Sequence, residues 1–182
     1  FVIRHGIFLS IGLVGALVAF AIPLDIWQRL AIPLFLFALI LLGIVLIPGI
    51  GLEVNGARRW LPLGIVNFQP SELMKVAILL FAADYVCRKR EHMQSFLRGF
   101  VPMACSLALV GVALLLEPDL GAFMVIVCIA VGLLFIGGIN GKFFSILVAV
   151  MVSSFLALIW LSPWRRERLF VYLDPWNPEN AY

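Results

Sequence analysis

The sequence predicts an all-α protein: a polytopic transmembrane bundle of about six spans. Three observations predict it. Of 182 residues, 64% are hydrophobic and only 13% charged, whereas soluble domains carry about a quarter charged residues. Mean hydropathy is +1.13. The apolar residues also fall into long runs without the alternation of barrel strands, and in lipid such runs must satisfy their backbone groups as helices.

The runs lie at about 6–24, 30–50, 70–87, 99–116, 120–138 and 143–161. Each approaches the roughly 20 residues a helix needs to cross a bilayer. They leave no room for a separate soluble domain, so residues 1–182 read as one transmembrane domain. Polar loops are expected at about 51–70, 88–98 and 162–182. The chain begins at Phe1 without a basic leader or cleavage site and stops at Tyr182 in a polar segment. Both ends read as cuts in a longer membrane protein.

Six spans put Arg4, Arg58, Arg59, Arg165, Arg166 and Arg168 on one face, and Arg29, Arg88, Lys89, Arg90, Arg98 and Lys142 on the other. This tie leaves the orientation undecided by loop charge; the dense Arg88-Lys89-Arg90 cluster leans its face toward the cytoplasm. Cys87, Cys105 and Cys128 match no metal or redox spacing. His5 and His92 have no Cys or Ser partner nearby, and no catalytic histidine is expected.

The polar stretch 51–76 stands out against this background. Arg58 and Arg59, with Arg165, Arg166 and Arg168, crowd one face. Guanidinium forks suit bidentate phosphate binding; the alternative is lipid headgroup contact or pairing with Glu53 and Glu167. Gln69-Pro70-Ser71-Glu72-Leu-Met-Lys75 opens the third run. Proline suits a first helical turn, and Glu72 there favours the positive end of the helix dipole. Lys75 follows at i+3, placed to pair with Glu72 and to face protein or a wet cavity. The alternative is a snorkelling lysine neutralised by Glu72.

Glu117-Pro118-Asp119 joins two runs with almost no loop. Its acids either cap the next helix or meet substrate or metal. Trp160, Trp164, Tyr172 and Trp176 surround Arg165–Arg168, so about 164–173 reads as a short helix lying on the membrane, for anchoring or for binding. Gly12, Gly15, Gly132, Gly137, Gly138 and Gly141 have small-residue spacing suited to helix packing.

Taken together, Asn55-Gly-Ala-Arg-Arg-Trp60, Phe68-Gln-Pro-Ser-Glu-Leu-Met-Lys75 and Glu117-Pro-Asp-Leu-Gly121 resemble the SEDS family (shape, elongation, division and sporulation). The full Asn-Gly-Ala-Arg-Arg-Trp run and Asp174-Pro-Trp-Asn-Pro178 resemble its cell-division branch more than its elongation branch. The resemblance implies a roughly ten-span bacterial inner-membrane protein at the division site that polymerises lipid II into glycan strands. It implies that 51–70 and 162–182 face outward and 88–98 the cytoplasm. Glu72 and Lys75 match the family's functional acid and lysine, and Arg58, Arg59, Trp60, Glu117 and Asp119 complete the candidate substrate-binding set.

The implied chemistry is attack of an acceptor 4-hydroxyl on the donor C1, expelling a polyprenyl diphosphate, with cations stabilising the leaving charge. Those cations would be side chains or a divalent metal, magnesium or manganese. The family's base lies in a His-Thr-Asp context beyond Tyr182, so no catalytic residue is assigned here. One departure is Asn67, where relatives often carry a basic residue. Implied partners are lipid II, membrane lipid, a class B penicillin-binding transpeptidase and other division membrane proteins, but no nucleic acid. Rival readings are a lipid II flippase, for which no repeat between the halves is evident, and a membrane scaffold of the division complex.

Overall fold

The computed structural model describes residues 2–54, 57–62, 64, 67–161 and 171. Six helices run in the expected order: α1 Val2–Ala21, α2 Leu24–Val45, α3 Pro70–Arg88, α4 Val101–Leu116, α5 Leu120–Ile136 and α6 Gly141–Trp160. A wide helical turn at Phe96–Phe100 leads into α4. The expected start of the second span near residue 30 moves back to Leu24, so Arg29 is helical and not in a loop. Pro23 disfavours helix at Ile22 and ends α1, while Asp25 sits in the first turn of α2, where the dipole favours an acid.

By length and composition, Leu24–Val45, Phe96–Leu116 and Gly141–Trp160 qualify as membrane-crossing helices. The apolar stretches Leu9–Ala21 and Leu120–Ile136 are shorter. The third helix, α3, carries four charges, but they pair within it: Lys75 with Glu72 at 2.7 Å and Arg88 with Asp84 at 2.7 Å. Pairing of this kind is what lets charged groups sit in a membrane bundle.

The bundle is all-α as expected, with one addition in the segment between α2 and α3. A small antiparallel sheet stands where a plain loop is expected: β1 Leu52–Val54, β2 Ala57–Pro62 and β3 Asn67–Phe68, in that spatial order. Backbone groups lying against an apolar bundle need partners, and strand pairing supplies them. Ala57 and Leu61 of β2 are buried while Arg58, Arg59 and Trp60 are half-buried.

The third and fifth helices form the centre: α3 packs on α2 and α5, and α5 on α4 and α6. Leu42, Met74, Ile78, Met103, Leu114 and Ile126 are fully buried there. Phe35 of α2 stacks on Phe81 of α3 with ring centroids 4.3 Å apart. No described residue of α6 is buried, and α1 exposes Leu9, Leu13, Leu17 and Phe20. These outer helices suit contact with lipid. The three cysteines are free and exposed on apolar helices.

Glycine packing meets the expectation in part. Around Gly12, Gly15, Gly132 and Gly141 nothing lies within 4 Å of where a Cβ would stand. Close approach occurs at Gly137, against Val86, as the spacing suggests, and also at Gly111, against the Phe123 ring, which the spacing does not mark. Gly138 has φ +75°, the left-handed conformation that ends α5.

Helices α3, α4 and α5 alternate in direction, which separates the two arginine groups. Arg59 reaches the α4–α5 turn, at the end of the bundle where α3 begins. Arg88 closes α3 at the other end. There Tyr85 donates to the Gly99 carbonyl at 2.9 Å and Gln94 to the Gly138 carbonyl at 2.7 Å.

Candidate active-site cluster at one end of the bundle

Three elements converge at the sheet end: β2, the first turn of α3, and the α4–α5 turn. Pro70 occupies the first position of α3, and Ser71 and Glu72 follow in its first turn. Ser71 is fully buried. Its hydroxyl donates to Asp119 Oδ2 at 3.1 Å, and the Gln69 side-chain amide donates to the same oxygen at 3.1 Å. The other oxygen, Oδ1, accepts the backbone N–H of Ala122 at 3.2 Å and so caps α5. The capping alternative for Asp119 is therefore realised, and both of its oxygens are engaged.

Arg59 spans from the sheet to the same turn. Its Nε donates to the backbone carbonyl of Glu117 at 3.1 Å, and Nη2 donates to the carbonyl of Pro118. These carbonyls close the C-terminal end of α4, where the helix dipole favours a cation. Arg58 behaves differently: it pairs with Glu53 at 3.1 Å, and both side chains are substantially exposed. The pairing alternative for Arg58 is thus what the structure displays. Trp60 lies beside them in β2, opposite Leu52.

Glu117 is fully buried, yet neither carboxylate oxygen has a hydrogen-bond partner. Burial, reinforced by the neighbouring Asp119 and opposed by Arg59, pushes its carboxyl up to about 8. The group therefore carries its proton at neutral pH, which removes most of the cost of burying it.

Lys75 and Glu72 form an ion pair at 2.7 Å. The Lys75 side chain is 25% exposed and that of Glu72 59%. Lys75 turns partly inward as expected, whereas Glu72 stays at the surface. Ser71 and Lys75 stand four residues apart and share a face of α3. The structure thus brings Arg59 onto the Glu117–Pro118 backbone beside Asp119, which binds Ser71 and Gln69, and sets Lys75 one turn along α3, but Arg58 faces outward on its own acid. Arg165, Arg166, Arg168, Trp164, Tyr172 and Trp176 lie outside the described residues, as does most of the expected surface helix at about 164–173.

A divalent metal does not fit this cluster. Among the described residues no three His, Cys, Asp or Glu side chains are grouped to hold one. Both oxygens of Asp119 are already engaged by protein donors, and the Arg59 guanidinium lies against the backbone of the same turn. Motif spacing did not single out Gln69 and Ser71 as ligands of Asp119, or Asp84 as the buried partner of Arg88; for Asp84 the i,i+4 spacing to Arg88 was the available signal.

Residues 1–182 match the cell cycle protein family of FtsW, RodA and SpoVE. The chain is 58% identical over 181 residues to a protein of Burkholderia thailandensis called a probable peptidoglycan glycosyltransferase FtsW, covering 100% of this chain and 39% of that one. A protein of the same name from Aromatoleum aromaticum is 56% identical, covering 97% of this chain and 43% of that one. Among solved structures, a peptidoglycan synthase complex that coordinates polymerization and crosslinking matches with TM-score 0.71 and 32% identity, over 96% of this chain and 51% of its counterpart. The rod shape determining protein RodA of Thermus thermophilus matches with TM-score 0.68 and 31% identity, over 82% of this chain and 48% of that one. The chain spans about two fifths of the length of those curated relatives. Motif set, helix order and these likenesses lead to one conclusion: the chain belongs to the FtsW/RodA/SpoVE family of multi-pass membrane proteins.

Proposed function

We propose that this bundle is the substrate-holding part of a peptidoglycan glycosyltransferase that polymerises lipid II during cell division, in the bacterial inner membrane. The observation that carries the reading is the Lys75–Glu72 pair in the opening turns of α3, beside a buried polar cluster. A membrane protein does not keep so many ionisable groups at one bundle end without a use for them. The glycosyltransferase names of the 58% and 56% identical relatives support the reaction class and the division role.

In the reaction the acceptor sugar's 4-hydroxyl attacks C1 of the donor, the bond to the diphosphate breaks, and negative charge collects on the departing oxygens. Lys75 is the cation placed to meet that charge, because its partner Glu72 is exposed and can be exchanged for a phosphate oxygen. Such a contact stabilises the transition state more than the ground state. Arg59 contributes by holding the turn; its Nε and Nη2 are already given to carbonyls. No step of this reading passes through a metal. The proton acceptor is assigned to a residue outside this chain.

The likeness to a peptidoglycan synthase complex supports a crosslinking partner, which we read as a single-span class B penicillin-binding transpeptidase. The face of Arg58 and Arg59 is then the outer one. The deciding experiment is glycan polymerisation from lipid II by purified full-length protein with its partner. Product with wild type and its loss in Lys75→Ala support the reading. Transport of lipid II across vesicles without any polymer would replace it with the flippase.

A further inference from the structure

We infer that Asp119 is a positioning residue: through Ser71 and Gln69 it docks the first turn of α3, and with it the Glu72–Lys75 pair, onto the N-terminus of α5. The inference rests on the reading of Lys75 as a substrate-side cation.

The carboxylate has no oxygen left without a protein donor. Oδ1 takes the Ala122 N–H, and Oδ2 takes both the Ser71 hydroxyl and the Gln69 amide. Gln69 also donates to Ser71 Oγ at 2.9 Å, so the three side chains close a ring. Ser71 and Asp119 are buried, at 0% and 8% exposure. Hydrogen bonds shielded from water in this way are strong, and a closed network specifies one geometry. Arg59 fixes the two preceding carbonyls of the same turn, so Asp119 is held from both sides.

The consequence reaches Lys75. It lies on the same face of α3 as Ser71, one turn on. Where the ammonium group stands relative to α5 is therefore set by the hydroxyl–carboxylate bond, not by the α3 backbone alone. Asp119 never touches substrate in this scheme, yet its loss displaces the cation that does.

The test uses the full-length protein with its crosslinking partner and compares Ser71→Ala, Asp119→Asn and Asp119→Ala. Asn retains an oxygen for the Ala122 cap but cannot accept from both Ser71 and Gln69; Ser71→Ala leaves the cap untouched. We expect Ser71→Ala and Asp119→Asn to lower kcat about 10- to 100-fold with KM held within about threefold, the scale of misplacement by about 1 Å. Spin labels at exposed Leu79 and Val125, in a cysteine-free background, read the α3–α5 distance, which should broaden or shift in both variants. Wild-type kcat in the two cap-retaining variants, with loss only in Asp119→Ala, overturns the inference in favour of capping. Lower kcat with unchanged distances also overturns it, because Asp119 would then act on substrate directly. If wild type makes no glycan while the distances still shift, the glycosyltransferase reading fails and the positioning role stands.

Discussion

Arg59 grips the backbone carbonyl of Glu117, at 3.1 Å, and not its carboxylate, whose oxygens have no partner at all. A guanidinium beside a fully ionised acid would be expected to take the acid. A protonated Glu117 offers no charge to compete with the carbonyls at the end of α4, so the arrangement is self-consistent: the acid is neutral and the arginine is a main-chain clamp.

The clamp needs two donors in a fixed fork. Arg59→Lys keeps the charge but reaches one carbonyl at best. We expect it to cost about 1–3 kcal/mol of stability and to reduce polymerisation. Arg58→Lys should do neither, since it alters an exposed pair with Glu53 worth less than about 1 kcal/mol. Thermal unfolding in detergent with parallel polymerisation assays checks both. Equal behaviour of the two variants contradicts the clamp.

Glu117 predicts a pH dependence. Its folded value of about 8 lies above the ordinary 4.5. The folded state therefore holds the proton that the unfolded chain releases, and this contribution to stability is complete below about 4.5, shrinks as pH rises, and levels off above about 8. Glu117→Gln mimics the protonated form and should flatten that limb by up to a few kcal/mol. Melting curves at pH 5.5, 7 and 9 (values chosen to bracket about 4.5–8) read the difference. Parallel curves for wild type and variant would show that Glu117 keeps its charge.

Much of this was legible in the sequence, for identifiable reasons. Apolar run length gave six helices in order, because a bilayer allows little else. Proline at 70 and the i,i+3 spacing of Glu72 and Lys75 placed that pair correctly. The sheet is absent from the sequence expectation, although Asn55-Gly56 between two short β-prone segments is a strong hairpin signal; segments this short carry little weight beside apolar runs of bilayer length. The bonds of Asp119 to Ser71 and Gln69, 48 and 50 residues away, have no local signature. Nor does the choice of Arg59 over Arg58 as the inward residue, which strand alternation determines only once the register is known. Glycine spacing marked Gly137 but missed Gly111 and included glycines with open surroundings for the same reason: it does not say which face meets a neighbour.

That lesson gives a packing prediction. A Cβ at Gly111 would stand 2.7 Å from Cε2 of Phe123, so α4 and α5 would have to part or the ring move. Gly111→Ala should destabilise by about 1–3 kcal/mol. Gly132→Ala, with nothing within 4 Å, should be neutral or gain about 0.5–1 kcal/mol from helix propensity. Unfolding temperatures of the two variants in the same detergent make the comparison. A stable Gly111→Ala beside a damaged Gly132→Ala would reverse the packing assignment.

The last prediction separates function from structure at the Lys75–Glu72 pair. As a partly exposed ion pair it contributes little to folding, less than about 1 kcal/mol. If it only neutralises itself, Lys75→Ala and Glu72→Ala should leave both stability and activity near wild type. If Lys75 meets the leaving diphosphate, Lys75→Ala should keep its melting temperature and lose about 100- to 1000-fold in kcat, as when a charge-stabilising donor is removed elsewhere. Lys75→Arg keeps a cation on a longer, planar head and should recover part of that loss. Glu72→Ala should be milder, because it frees the lysine without removing it. Polymerisation measured against lipid II concentration, on protein shown to be folded, distinguishes the cases. A folded Lys75→Ala variant that polymerises at the wild-type rate would return the pair to a structural role.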